Sequence, residues 1–150
     1  MRMTKTDTLR QHGDYEKLIQ VAWKARENAY APYSGFAVGA AVETASGHIY
    51  GGCNIENVSY GLTNCAERTA MFQAVAHGER QLLRMAICAD TDKPVAPCGA
   101  CRQVMQELGP QMEIFLLGRN DDVIVTTVAE LLPYSFQDFP QAEGQEKGDI

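Results

Sequence analysis

Three cysteines and one glutamate carry the chemistry that this chain can do. Cys65 and Glu67 stand two apart in "NCAERTAMF" (64–72), and Cys98 and Cys101 stand three apart in "PCGAC" (97–101). A Cys-x-x-Cys pair at the opening of a helix puts both sulfurs on one face, where they can close on one metal ion. Cys65 opens a second helix, and the positive end of each helix favours thiolate, the form that binds metal. Three thiolates can then converge on a zinc ion and leave its fourth position for water, which is the catalytic rather than the structural arrangement. Glu67 falls in the first helical turn beside Cys65, where a carboxylate can lean toward that open position without ligating the metal. Alone, Glu67 reads as an acidic residue complementing a helix dipole; beside three thiolates it reads as an acid and base. A thioredoxin-type redox pair also fits Cys98 and Cys101, but it accounts for neither Cys65 nor Glu67.

The remaining candidate ligands are weaker. Cys88, inside "MAICAD", reads as a core thiol. Cys53, in "GGCNIEN", is the one cysteine left that can complete a closed four-cysteine site, which would make the chain a zinc-stabilised module without activity. Neither Cys53 nor any histidine stands at an ordinary ligand-pair spacing. His12 falls in a polar stretch, His48 in a hairpin turn and His77 near a helix end, so each reads as a solvated or satisfied imidazole.

The elements that must position these groups follow from periodicity. "GDYEKLIQVAWKARENAY" (13–30) repeats apolar residues at the helical period, with Leu18, Ile19, Ala22 and Trp23 on one stripe. "FAVGAAVETA" and "GHIYGGC" read as two antiparallel strands about a turn. "CAERTAMFQAVAHG" and "CGACRQVMQELG" read as helices ending at Gly78 and Gly109, "LLRMAICAD" and "MEIFLLG" as buried strands, "DDVIVTTV" as a fifth strand and "AELLP" as a last helical turn. This order predicts an α/β protein, a three-layer α/β/α arrangement with a five-stranded mixed sheet and helices on both faces. One domain is expected over 13–139, with 1–12 and 140–150 as polar, flexible tails.

Composition limits the function classes. At 150 residues the chain can bury roughly two thirds of its unfolded surface without disulfides. Five cysteines, an odd number, and the polar opening "MRMTKTDTLR" point to a reducing compartment, the cytoplasm. No apolar run approaches the ~20 residues that span a bilayer, so no membrane partner is expected. A net charge of -6 disfavours a nucleic-acid partner, because it repels phosphate backbones.

A ligand, any residue and Glu, followed later by Pro-Cys-x-x-Cys, is the signature of zinc-dependent deaminases. Here it is Cys65-Ala66-Glu67 with Pro97-Cys98-Gly99-Ala100-Cys101. Together with "APYSGFAVGAAV", "GCNIENVSYGLTNCAERTA", "PCGACRQV" and "AELLP", in that order and spacing, the chain resembles the small, three-cysteine, homotetrameric cytidine deaminases. The likeness runs from Leu18 to Phe136 and departs locally at "LLPYSF", where the family usually has "LLPGAF".

The resemblance implies a set of roles. Cys65, Cys98 and Cys101 would bind Zn2+, and Glu67 would move protons during hydrolysis of cytidine and 2′-deoxycytidine to uridine and 2′-deoxyuridine, with release of ammonia, a reaction of pyrimidine salvage. Asn54 and Glu56 would hold the sugar, and Phe36 would pack on the pyrimidine; without the resemblance they read as a strand-end turn and a core aromatic. Three thiolates leave zinc with a net negative charge, and Arg68 would drain charge from the sulfurs. The partners implied are a small nucleoside substrate and three further copies of the chain, with Phe136 reaching a neighbouring site. A deaminase of another amino-substituted substrate, such as an aminonucleoside antibiotic or a base in a nucleic acid, is the nearest enzymatic alternative; Asn54, Glu56 and the acidic balance weigh against it.

Overall fold

The computed structural model describes residues 1–4, 7, 11, 14–120 and 122–139. Its order is β1 (Arg2–Thr4), α1 (Glu16–Arg26), β2 (Val38–Thr44), β3 (Ile49–Cys53), a 3-10 turn (Tyr60–Leu62), α2 (Ala66–Ala76), β4 (Leu82–Ala89), α3 (Gly99–Leu108), β5 (Glu113–Leu117), β6 (Asp122–Thr127) and α4 (Val128–Leu131). The strands form one sheet in the order β1-β6-β5-β4-β2-β3. Only β4 and β5 run parallel, joined through α3; the other neighbours are antiparallel.

Strand alternation sorts the core into two faces. Ala40, Val42, Met85, Ile87, Ile114 and Leu116 pack under α2, α3 and α4. Ala41, Ala86, Cys88, Phe115 and Leu117 point the other way, onto α1. Tyr15, just ahead of α1, stacks on Phe115 with ring centroids 4.6 Å apart. The three-layer expectation therefore holds, and Cys88 is a core thiol whose pKa burial pushes up to about 12.

The sheet has six strands, not five. The additional one, β1, lies in the stretch expected to be a polar tail. Met3 is buried against the α1 face, and β1 pairs with β6 in the register Arg2↔Ile124, Met3↔Val123, Thr4↔Asp122. Val125 N–H also donates to Met1 O at 2.8 Å, and Arg2 pairs with Asp122. The expected tail over 140–150 lies outside the described residues, as does His12.

Two close approaches fix the helices that matter to the site. A Cβ at Gly52 of β3 would stand 2.4 Å from Ala70 N and 2.6 Å from Ala66 O, so the backbone of α2 rests directly on the strand. Buried Ala66, Ala70 and Ala74 give α2 the small-residue face this contact needs. On the opposite face Gly39 admits α1 in the same way, with its missing Cβ 2.1 Å from Ala22 O. The helix α1 ends at Arg26, short of the periodic pattern, because the Tyr30 backbone is claimed elsewhere: Tyr30 N–H donates to Asn54 O at 3.0 Å and Glu56 N–H to Tyr30 O at 2.8 Å.

Candidate active site

The two cysteine motifs open the two helices that flank the site. Cys65 is the N-cap of α2 and Cys98 the N-cap of α3, both in extended backbone, and Cys101 sits in the first turn of α3. The three Sγ atoms all lie within 4.8 Å of one another, with Cys65 and Cys98 at 3.7 Å. Sulfurs held about 2.3 Å from one tetrahedral zinc stand about 3.8 Å apart, so this donor set fits zinc in both chemistry and size. Cys53, half-buried at the end of β3, lies outside this cluster, so among the described residues no fourth cysteine closes it.

The charge in the site is arranged around Cys65. Its thiol is lowered to about 5, first by the hydrogen bond from Cys101 and then by Arg68, whose Nη2 donates to Cys65 Sγ at 3.3 Å. Cys101, the donor in that pair, is raised by the same bond and by burial. Arg68 Nε is, among the described residues, the one buried side-chain nitrogen or oxygen without a hydrogen-bond partner. It is a cation turned inward to sulfur rather than outward to water. Glu67 is 5% exposed, and its carboxyl is raised, first by burial and further by the charge of Cys65.

A cleft of about 250 Å³ opens above these groups, lined by Glu67, Cys65 and Cys98 together with Phe36, Asn54 and Glu56. Six residues singled out in the sequence thus meet in one cavity. Asn54, 8% exposed, works on the backbone: its Oδ1 accepts from Val38 N–H at 2.9 Å and its Nδ2 donates to Phe36 O at 2.7 Å. Glu56 accepts Tyr33 N–H at 2.9 Å and Ser34 N–H at 3.1 Å on Oε1, and the Ser34 hydroxyl at 2.5 Å on Oε2. These bonds, the Ser34 hydroxyl first, hold its carboxyl below the usual range. Phe36 presents its ring to the cleft, 43% exposed, with its N–H on Ser34 Oγ. The polar pair therefore does the turn-building that its position at a strand end predicts, while still facing the cavity.

Phe136 stands apart from this cleft. It lines a separate groove with Phe72, Val104, Leu108 and Phe139 on the outer side of α3. His48 lies beyond the site as well, bridging through Nδ1 to Glu79 at 3.2 Å, and His77 caps the end of α2. Ser34, Val38, Thr63, Val95 and Ala96 complete the cleft wall without having been singled out. They are small or apolar residues in or beside loops, where neither periodicity nor reactive chemistry marks them; only Ser34 offered a signal, as the turn residue in "APYSG".

Comparison with known proteins places these features together. A model of the family described as "Cytidine and deoxycytidylate deaminase zinc-binding region" matches residues 12–117. The chain is 55% identical to a cytidine deaminase of Sporosarcina psychrophila over 124 residues, covering 82% of this chain and 91% of that protein. It is 53% identical to a cytidine deaminase of Halalkalibacterium halodurans, covering 82% and 94%. The crystal structure of cytidine deaminase from Burkholderia pseudomallei superimposes with a TM-score of 0.79 at 53% identity, covering 82% of this chain and 99% of that one.

Proposed function

Since the chain belongs to the cytidine and deoxycytidylate deaminase family and brings together three cysteines that fit a zinc ion, we propose that it hydrolyses cytidine and 2′-deoxycytidine to uridine and 2′-deoxyuridine with release of ammonia. The observation that carries this reading is the shared cleft: sulfur ligands and a buried carboxylate at one end, a hydrogen-bonding pair and an aromatic ring on the wall.

Zinc, when bound, supplies Lewis acidity that makes water a nucleophile near neutral pH. Glu67 then handles the protons. Its buried carboxyl holds a proton more readily than an exposed one, so it can take one proton from the attacking water and give it to ring N3, then take the second from the C4 hydroxyl that results and give it to the departing amine. Arg68 donates to ligand sulfur and offsets thiolate charge, which keeps the centre electrophilic. Phe36 offers a face to the pyrimidine.

Hydrogen-bond capacity supports sugar recognition by the polar pair. A carboxylate accepts about four hydrogen bonds, and three at Glu56 are taken by the Tyr33–Ser34 turn, which leaves one acceptor for a sugar hydroxyl. Asn54 likewise keeps one N–H and one lone pair beyond its backbone bonds. A phosphate on the sugar would meet the Glu56 carboxylate, so the reading is of a nucleoside rather than a nucleotide.

The family resemblance suggests a homotetramer, and the exposed rings of Tyr33, Tyr60 and Phe136 offer apolar surface to such an assembly. No helix among the described residues is long and apolar enough to cross a membrane; cytoplasmic pyrimidine salvage is the setting that fits the reaction. Hydrolysis followed by loss of cytidine absorbance tests the proposal directly. Turnover of cytidine and deoxycytidine far above that of cytosine or cytidine monophosphate is expected, with activity lost on chelation and restored by Zn2+. A zinc-loaded protein inert on both nucleosides overturns it.

A further inference from the structure

Arg102 directly follows Cys101 and touches two carbonyls from different segments of the chain. Its Nε donates to Pro97 O at 2.8 Å, and its Nη1 donates to Leu131 O at 2.7 Å. Pro97 is buried, so its carbonyl needs a donor within the protein, and the residue it introduces is Cys98. Leu131 is the last residue of α4, where helical carbonyls lack intrahelical partners. One guanidinium therefore satisfies both. Gln103, the next residue, donates from Nε2 to Phe136 O at 2.8 Å, so α3 grips the C-terminal segment at two successive points.

We propose that Arg102 is a positioning residue for the zinc centre: it fixes the peptide ahead of Cys98 against the end of α4, and so holds the most exposed of the three sulfur ligands in place. The contrast among the ligands explains why Cys98 needs this. Cys101 is enclosed in the core inside α3, and Cys65 is half-buried with Arg68 on its sulfur. Cys98 is exposed and follows Val95 and Ala96, which lie in no helix or strand. Its own carbonyl accepts the Arg102 backbone N–H at 3.0 Å, the first bond of α3. With the side chain on Pro97 and the backbone on Cys98, Arg102 pins the two consecutive peptides that set where the Cys98 sulfur points.

The planar fork of arginine is required, because Nε and Nη1 reach different carbonyls from one rigid group. A lysine keeps the charge and the stem but presents a single centre. The inference rests on the zinc deaminase reading for its functional consequence, yet zinc retention can be measured whatever the substrate proves to be. The experiment follows zinc release to a chromogenic chelator from purified holoenzyme in wild type, Arg102→Gln, Arg102→Lys and Gln103→Ala, with thermal melts of the zinc-loaded and zinc-free forms.

Both Arg102 variants should release zinc about ten- to a hundredfold faster than wild type, the range typical of groups that orient metal ligands. The gap in melting temperature between zinc-loaded and zinc-free protein should narrow in step. Gln103→Ala, which frees Phe136 O but leaves Pro97 held, should release zinc at the wild-type rate. If the Gln variant does not fold, the Lys variant carries the same expectation. Unchanged zinc release in a folded Arg102→Lys protein overturns the proposal, as does Gln103→Ala matching the Arg102 variants. A wild type that holds zinc tightly but ignores cytidine counts against the substrate reading and leaves this test standing.

Discussion

Glu67, the proton carrier of the proposed reaction, is buried at a cost to the fold. Replacing it with Gln removes the ionisable carboxyl and little else, so one zinc per chain should remain while kcat falls by a factor of about 100 or more. Metal analysis and turnover on one preparation check both halves. The same change should stabilise the zinc-free protein. Burial raises the folded-state pKa of Glu67 above its unfolded value, so between the two the native state binds more protons than the unfolded state, and stability falls as pH rises through that window. Gln has no such cost, and the melting-temperature advantage of zinc-free Glu67→Gln should be larger at pH 8 than at pH 4. Glu56 calls for a different pair of variants, because its carboxylate also clamps the Tyr33–Ser34 turn beside Phe36. Glu56→Gln keeps an oxygen for the two backbone N–H groups, so it should lower kcat/KM on cytidine and spare the slow reaction of cytosine, which has no sugar to hold. Glu56→Ala should lower both, since the turn and the ring of Phe36 move together. Equal losses with Gln on the two substrates would leave Glu56 only its structural work.

Elements bring these residues together, and the tightest constraint is α2 on β3. Gly52→Ala places a methyl against the backbone of Ala66 and Ala70, where no flexible side chain can move aside. The helix must shift, at a cost of about 1–3 kcal/mol, and the shift displaces Cys65, Glu67 and Arg68 as a unit. Urea titrations should show the loss of stability, and zinc content should fall with it. At Tyr134 the effect runs the other way. Tyr134 stands where the family pattern has Gly and adopts φ 54, the left-handed region that costs a side-chain residue about 1 kcal/mol. It is fully exposed, so Tyr134→Gly should raise the melting temperature by about a degree, net of the entropy glycine loses on folding. The sequence made most elements legible because the strands and helices each carry their own period, and the metal site because thiols at two helix starts have few other uses. It hid β1, whose three residues carry one inward side chain, Met3, and whose partners stand some 120 positions away in β6. It hid Arg102 for the same reason: a helical arginine looks solvated until Leu131, from another element, supplies the carbonyl it binds.

For the whole molecule, the question is where Phe136 acts. It is 58% exposed and packs edge-on against Phe139, with ring centroids 5.3 Å apart. Gln103 holds its carbonyl to the outer side of α3, in a groove that shares no residue with the cleft above the three cysteines. An aromatic so placed contributes little to its own core and none of its own cleft, yet the cleft mouth opens beside the exposed rings of Tyr33 and Tyr60. Both features are accounted for if copies of the chain assemble so that Phe136 of one covers the cleft of another. Sedimentation should then give a tetramer, and Phe136→Ala should raise KM for cytidine more than it lowers kcat, because the ring contributes binding rather than proton transfer. Mixed assemblies separate a shared site from a merely weakened fold. A Glu67→Gln chain is inactive but keeps its Phe136, and a Phe136→Ala chain keeps its Glu67. Refolded together, the Glu67→Gln chains can lend their rings to the intact carboxylates of the others, and KM should return toward the wild-type value in the active fraction. A KM that stays at the level of Phe136→Ala alone, or an active monomer, would confine Phe136 to its own chain.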